Sequence, residues 1–376
     1  MVLNGIVNLP VAVSKGKSIE IYKQLANTNL AIGKMDSLIR YSIVNDSLLS
    51  LLSFNESVQS TRIEGTQVTF HNFMENKDKK ELNWQEKEVS NYHDALMYGI
   101  SQITEHQMPI STRLIKELHK MLMDGARGTS SSSGQFRKIQ NFIGPNDKIE
   151  DAVYVPVSPN EIDNFMENLD FFINGENHSS FVHETDPEKE FFDYNSSPLL
   201  KMAIAHAQFE SVHPFLDGNG RLGRILLVLI SVKEKLVSSP IFFVSEELEK
   251  ERIRYYNSLN ATRGQDSEWS VWLLFFLQAS ERMANNIISK LNDVDSLARK
   301  GLEACETDMQ KNIWMITFSY PVSTAKQISD RLNIHPSTAK KNLDYLVSKN
   351  MIDKDLSKKR NQKYYNYDLL RTISKG

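Results

Sequence analysis

The stretch His213-Pro214-Phe215-Leu216-Asp217-Gly218-Asn219-Gly220-Arg221-Leu222-Gly223-Arg224 joins two apolar helical patterns. Upstream, Leu199, Met202, Ala205, Phe209 and Val212 recur at helical spacing, which predicts a helix from Pro198 with His213 at its end. Pro214 removes a backbone donor and disfavours helical geometry at the residue before it, so the helix must stop there. Downstream, Arg221 to Ile230 reads as a second, buried helix. Gly218-Asn219-Gly220 therefore falls at a helix N-terminus. Glycines there let the backbone approach a ligand closely, and the free N–H groups form an anion nest.

The neighbouring residues acquire chemical roles from that placement. Arg221 and Arg224 are three apart on one helix face, and their planar guanidinium groups suit phosphate oxygens. Asp217 lies beside the nest, where a carboxylate oxygen can hold Mg²⁺ against bound phosphates. His213, with an ordinary pKa of about 6.5, is suited to accept a hydroxyl proton near neutral pH. A structural helix–loop–helix corner needs a glycine, but it has no use for a base, an acid and two arginines together.

The stretch resembles the signature of the Fic family, His-Pro-Phe-x-Asp/Glu-Gly-Asn-Gly-Arg-x-x-Arg, at every fixed position. The resemblance extends over most of the chain before residue 285. It implies a mainly α fold, a Fic helical bundle with a β-hairpin flap, and an enzyme that moves AMP from ATP to a protein hydroxyl and releases pyrophosphate. Position by position it implies His213 as general base, Asp217 as ligand of an Mg²⁺ cofactor, and Gly218, Asn219 and Gly220 as the phosphate nest. Arg221 and Arg224 then become the β- and γ-phosphate contacts. Doc-type kinases carry Lys where Gly220 stands, so glycine favours nucleotidyl transfer over phosphoryl transfer.

A second motif lies far upstream. Ser57 to Thr66 alone reads as a polar helix closed by Gly65, with Glu64 a solvated carboxylate opposed by the helix dipole. Ser60-x-x-x-Glu64-Gly65, however, resembles the inhibitory-helix motif of Fic proteins, Ser/Thr-x-x-x-Glu-Gly/Asn. That resemblance implies that Glu64 pairs with Arg224 and takes the place the γ-phosphate needs. One guanidinium cannot serve a carboxylate and a triphosphate terminus at once.

Other segments take their roles from the same resemblance. β-Branched and aromatic residues on either side of Gly144-Pro145-Asn146-Asp147 predict a short hairpin, packed on helices because it is not stable alone. It resembles the Fic flap, which implies that Ala152, Val153, Tyr154 and Val155 dock the target segment over His213. A purely structural hairpin remains the alternative. The helix opened by Ser245-Glu246-Glu247 and expected to run to Gly264 borders the adenine pocket in this reading, making Tyr255 and Tyr256 adenosine contacts. Without it they read as packing residues. His206 reads as a hydrogen-bonded packing histidine rather than a metal ligand, and His183 as a solvated loop residue.

The C-terminal part has a different character. A helix over Asn312–Phe318, another through Ile328, a turn at Asn333-Ile334-His335 and a helix from Pro336 to Ser348 precede a basic run and Tyr364-Tyr365. The order resembles a winged helix-turn-helix. Ser337, Thr338, Lys340 and Lys341 open its candidate recognition helix, and Lys358, Lys359, Arg360 and Lys363 lie in the wing. Basic groups in both elements suit duplex DNA, and a module for protein contacts is the alternative.

With 376 residues, 40% hydrophobic and 24% charged, the chain has material for several ordinary globular domains. The expected division is an N-terminal helical region over 1–108 with the inhibitory helix near 57–65, a catalytic core over 109–285, a linker helix over 286–305, and the winged helix over 306–376. A net charge of −3 points to no polyanion partner for the whole molecule. Cys305 is the only cysteine, which excludes an intramolecular disulfide and fits a reducing cytoplasm. No apolar run approaches the ~20 residues of a membrane span. The expected partners are a target protein with an exposed hydroxyl, this chain included, DNA through the C-terminal part, and a second copy in a homodimer. The alternatives are removal of AMP by hydrolysis, with Glu64 aligning a water, and a DNA-binding regulator with a nucleotide-sensing module.

Overall fold

The computed structural model describes residues 2–125, 132–144, 148–181, 186–357 and 361–375. The first helices are α1 (Lys15–Tyr41), α2 (Asn45–Ile63), α3 (Phe70–Asn76), α4 (Trp84–Thr104) and α5 (Thr112–Leu122). Then come α6 (Ile162–Asn174), α7 (Pro198–Val212), α8 (Asn219–Lys233), α9 (Ser245–Lys250), α10 (Arg252–Asn260) and α11 (Trp269–Ala304). The chain ends with α12 (Asp308–Ser319), α13 (Ala325–Leu332), α14 (Pro336–Ser348) and α15 (Tyr367–Ser374). The strands are short: β1 (Leu3–Asn4), β2 (Val11–Ser14), β3 (Tyr154–Val155), β4 (Lys189–Phe192), β5 (Val322–Thr324), β6 (Asp353–Lys354) and β7 (Lys363–Tyr365). No described helix is long and apolar enough to cross a membrane.

α7 is the axis of the core, buried from Leu199 to Val212, as befits a helix apolar nearly all round. Its neighbour α8 is buried from Asn219 to Ser231, apart from Gly220. Burying the indole of Trp272 against α7 is made possible by its Nε1–H, which donates to Ala203 O at 2.8 Å. On one flank α1 packs along α11, whose 36 residues give a rod of about 54 Å. That rod runs unbroken through residue 285, where the catalytic core was expected to give way to a linker. Near its end Gly301 lets the Trp314 ring lie against the backbone, and Trp314 Nε1 donates to Ala298 O at 2.9 Å.

Several elements differ from the sequence expectation. The segment read as a separate polar helix is the end of α2, and Ser57, Gln59, Ser60 and Thr61 are buried despite their polarity. Their hydroxyls make this tolerable: Ser57 Oγ donates to Ser53 O and Thr61 Oγ1 to Ser57 O, both at 2.9 Å. Buried Glu56 ties α2 to α9, accepting from Ser245 N (3.2 Å) and the Tyr92 hydroxyl (3.2 Å) as well as the Ser245 hydroxyl. The single helix expected from Ser245 breaks at Glu251, which leaves helical geometry between α9 and α10.

The hairpin is also different. Among the described residues its first arm contributes one antiparallel bridge, Ile143 to Tyr154, while β3 pairs in parallel with β1. Leu3 N donates to Val153 O (3.1 Å) and Gly5 N to Val155 O (3.0 Å), so a remote N-terminal strand covers the edge expected to receive a peptide. The turn residues 145–147 lie outside the described residues.

The C-terminal part folds as α12, β5, α13, a left-handed turn at Asn333, α14 and the pair β6–β7, in sheet order β5-β7-β6. The imidazole of His335 caps α14, accepting from Ser337 N. α15, absent from the sequence reading, closes the module. Lys358, Lys359 and Arg360 lie outside the described residues, as do His183 and residues 126–131 of the small-residue loop.

Candidate active site

The α7–α8 corner is built by three devices. His213 caps α7 in the left-handed conformation (φ 48°), which swings the chain away at Pro214. Asn219 clamps the loop, its Oδ1 accepting from Phe215 N and its Nδ2 donating to Phe215 O, both at 2.9 Å. Gly218 sits at φ 79°, where a Cβ would also come within 2.9 Å of Met123 Sδ. With its side chain so committed, Asn219 offers a ligand only its backbone N–H. That group and those of Gly220 and Arg221 are first-turn donors of α8 without intrahelical acceptors.

Side chains absent from the sequence reading hold this corner in place. Buried His119 stacks on Phe215 at 3.8 Å; Gly134 N donates to its Nδ1 (2.8 Å), so its Nε2–H donates to Asp217 O (3.0 Å). Arg137 reaches in from before the flap and donates to His213 O (2.9 Å) and to the Val157 carbonyl. Arg263, after α10, donates to Ser211 Oγ (3.1 Å) and lies 4.1 Å from the Tyr154 ring. Single arginines in loops carry no periodic signal, so only the folded chain shows them converging on His213.

The corner opens into a cleft of about 930 Å³ lined by His213, Gly220, Arg224 and Glu64 on one side and by Arg252, Tyr256 and the Asn141–Gly144 segment on others. That volume accommodates a nucleotide-sized ligand. His213 Nδ1 lies 3.3 Å from Glu210 O, a placement that keeps the proton on Nδ1 and leaves Nε2 as the base. Burial, reinforced by the Arg263 and Arg137 charges, pushes the His213 pKa down to about 4. The ring is therefore neutral at physiological pH.

Arg224 is 1% exposed at its side chain and engaged through Nε and Nη2. Its Nε donates to Ser60 Oγ (2.8 Å), and its Nη2 donates to Ser60 O (3.0 Å) and Glu64 Oε1 (2.7 Å). Burial opposes ionisation of Glu64, but the Arg224 guanidinium, helped by Arg221 and Arg252, outweighs it and holds the carboxyl below its usual range. The Glu64–Arg224 pair leans directly on Gly220, where any Cβ would collide with the Glu64 carboxylate. Arg221 is buried too, 3.4 Å from Asp217 Oδ1 and 3.9 Å from Glu88 Oε1. Asp217, 57% exposed at its side chain, also accepts from Gly218 N at 2.6 Å.

Two sets of expected contacts separate. Tyr255 is 1% exposed, its hydroxyl donating to His206 Nε2 at 2.9 Å, and it lines the cleft from within the packed wall, while Tyr256, 37% exposed, presents more of its side chain there. His206 in turn donates from Nδ1 to Gly223 O (3.1 Å), a packing role without metal. Of the flap residues, Tyr154 is buried with its hydroxyl on Ser211 O (2.6 Å), Ala152 is buried, and Val155 is tied to β1. Val153 is 44% exposed at the cleft. The backbone that turns toward the cleft belongs instead to Phe142 and Gly144, on either side of the bridged Ile143.

The depressed His213 pKa gives a pH prediction. A group held at about 4 keeps its base form far below the ordinary histidine range, so any reaction using it should fall off on the acidic side near pH 4–5. A kcat/KM profile whose acidic limb sits near 6.5 would show a solvated histidine instead.

The chain resembles known proteins in family and in fold. Residues 109–231 match the model of the Fic/DOC family and residues 22–101 that of the Fic/DOC family N-terminal region, together more than half of the chain. Protein adenylyltransferase Fic of Drosophila ananassae is 25% identical over 173 residues, 46% of this chain and 29% of the relative. That of Drosophila yakuba is 28% identical over 134 residues, 36% of this chain and 22% of the relative. The match thus spans less than a third of these relatives' length. Among solved structures, a Fic family protein from Desulfovibrio desulfuricans has a TM-score of 0.56 at 19% identity, covering 92% of this chain and 95% of that one. Fic-1 from C. elegans has a TM-score of 0.53 at 20% identity, covering 73% and 74%. These likenesses place the mainly α bundle in the Fic fold.

Proposed function

The chain belongs to the Fic/DOC family, and on that premise we propose that it is an autoinhibited protein adenylyltransferase, moving AMP from ATP to a Ser, Thr or Tyr hydroxyl of a target protein in the cytoplasm. The observation that carries the reading is a neutral His213 at the wall of a nucleotide-sized cleft, beside the donor-rich N-terminus of α8. The target hydroxyl attacks the α-phosphorus, forming the new P–O bond as the bond to pyrophosphate breaks. His213 Nε2 takes the hydroxyl proton, and pyrophosphate leaves with the electron pair. The backbone N–H groups of the nest and the guanidinium groups of Arg221 and Arg224 offset the charge on the departing β- and γ-phosphates. The Phe142 carbonyl and the Gly144 backbone supply the edge along which an extended target segment lies, the Phe142 N–H being held by Asn141 Oδ1 at 2.8 Å. Tyr256 offers its ring to the adenosine.

Asp217 is the residue that would hold Mg²⁺. Among the described residues no cluster of three or more His, Cys, Asp or Glu side chains could hold a metal, so the ion would bind through one carboxylate, phosphate oxygens and water. That mixed set suits Mg²⁺ better than Ca²⁺ or Zn²⁺. When bound, the ion would neutralise phosphate charge.

ATP labelled on either its α- or its γ-phosphate tests the reaction class. Label on protein from α-labelled ATP alone is the expected result; label from γ-labelled ATP alone would mean phosphoryl transfer. The sequence alternative of AMP removal predicts loss of label from a pre-modified target, with Glu64 required.

A second activity rests on charge segregation. Residues 306–376 carry 13 Lys and Arg against 7 Asp and Glu, while the whole chain is net −3. On α14, Ser337, Lys340 and Lys341 are exposed. This supports reading the module as a winged helix that binds duplex DNA. Binding should be weak and steeply salt-dependent, because lysine–phosphate contacts release counterions. Gel shifts at rising salt with the full chain check it; no shift at low salt would favour protein contacts.

A further inference from the structure

Glu64 lies between two attachments to one module. At one end of the inhibitory element, near the start of α2, Ser47 Oγ meets Ser319 Oγ of α12 at 2.6 Å. At the other, the chain passes Gly65 (φ 96°) and enters α3, where Glu75 is gripped by β7. Lys363 Nζ donates to Glu75 O at 2.8 Å and lies 3.6 Å from its carboxylate, and the Tyr365 hydroxyl donates to Glu75 Oε1 at 3.0 Å. His71 of α3 faces the stacked rings of Tyr365 and Tyr367, with centroids 6.2 and 5.6 Å away. Gln327 of α13 adds a bond to Asp78 at 3.4 Å.

These contacts matter because Glu64 sits at a helix end. It is the C-cap of α2, followed by a left-handed glycine and a segment without regular structure until α3, and its side chain is 34% exposed. Helix ends fray unless something beyond them is anchored. Past Glu64 the chain is held first by buried Thr66, whose hydroxyl donates to Glu88 Oε2 of α4 at 2.7 Å, and then by α3, which rests in part on the C-terminal module. Lys363, a wing residue otherwise available for phosphate, is committed to it.

We propose that residues 306–376 act as an intramolecular clamp on the inhibitory element, holding α2 and α3 so that Glu64 stays on Arg224. Loosening the β7–α3 contact frees Arg224 and raises AMP transfer, without touching any group in the cleft. The inference rests on the adenylyltransferase reading for its consequence, but the clamp itself has a readout that needs no activity.

The test is a charge swap in the full chain, read by self-adenylylation and by amide hydrogen exchange over residues 60–70. Glu75→Lys and Lys363→Glu, each alone, should speed exchange there and raise transfer about two- to five-fold, the scale of a partly exposed ion pair with its hydrogen bonds. The double variant should restore both in part, because the swap re-forms the side-chain ion pair but not the bonds to the Glu75 carbonyl and carboxylate. Tyr365→Phe, which deletes one hydroxyl, should move both readouts in the same direction and guards against misfolding of the charge variants. In a Glu64→Gly background Glu75→Lys should leave transfer unchanged. Unaltered exchange in both Glu75→Lys and Tyr365→Phe would overturn the clamp, as would an equal rise in the Glu64→Gly background. If no variant transfers AMP, Glu64→Gly included, the enzyme reading fails while exchange still decides the clamp.

Discussion

His213→Ala is expected to lower AMP transfer by about 10²–10⁴-fold, the scale of losing a general base, while leaving ATP affinity nearly unchanged. The separation follows from the architecture. The groups placed for phosphates belong to α8: the free N–H donors at Asn219, Gly220 and Arg221, and the two arginine side chains. His213 belongs to the end of α7, and its ring contributes nothing to the clamp on the loop, which is made by Asn219, His119 and Arg137 through backbone carbonyls. Its backbone must still adopt φ 48°, a conformation that alanine tolerates less well than glycine. His213→Gly is therefore a useful companion, expected to be equally inactive. Transfer measured with α-labelled ATP, alongside nucleotide titration of the same variants, checks both halves. Near-normal transfer by either variant would remove His213 from the chemistry.

Glu64→Gly is expected to raise transfer by about tenfold or more. The wild-type pair contributes roughly 1.5–3 kcal/mol to the inhibited arrangement, the scale of a hydrogen bond to a charged group, and each 1.4 kcal/mol is tenfold in rate. Arg224→Ala should be inactive, and the double variant should be no more active than Arg224→Ala. That epistasis distinguishes denial of Arg224 from a general loosening of α2, because loosening would still help when Arg224 is gone. Ser60→Ala is a milder member of the series. It removes the Ser60 Oγ acceptor but leaves the Ser60 carbonyl and Glu64 in place on Arg224, so its gain should be smaller. If Glu64→Gly lost activity toward a pre-adenylylated target and gained none in transfer, Glu64 would be a hydrolytic residue.

What the sequence revealed about this site depended on how local each signal was. The α7–α8 corner was legible because helix periodicity on both sides, Pro214 and Gly218 all bear on neighbouring residues. The Glu64–Arg224 contact joins positions 160 apart, and no periodicity predicts it; only the resemblance of Ser60 to Gly65 to a known motif pointed there. The polarity of Ser57 to Thr61 gives no sign of burial because hydroxyl bonds to the helix's own carbonyls, which permit it, leave no trace in composition. Sequence shows the flap only as a two-stranded hairpin packed on helices, because Leu3–Asn4, the strand that pairs with it, lies about 150 residues away. Tyr255 and Tyr256 could not be told apart because composition does not say which side of α10 meets His206. Arg137, Arg263 and His119 converge from three separate segments, and their roles exist only in the fold.

The most direct test of autoinhibited AMP transfer is intact-protein mass spectrometry of wild type and Glu64→Gly after incubation with ATP and Mg²⁺. Glu64→Gly should gain mass in steps of one adenylyl group, about 329 Da, with wild type gaining far less in the same time and Glu64→Gly/His213→Ala gaining none. A gain near 80 Da, the increment of a phosphoryl group, or equal adenylylation of wild type and Glu64→Gly, would contradict the account.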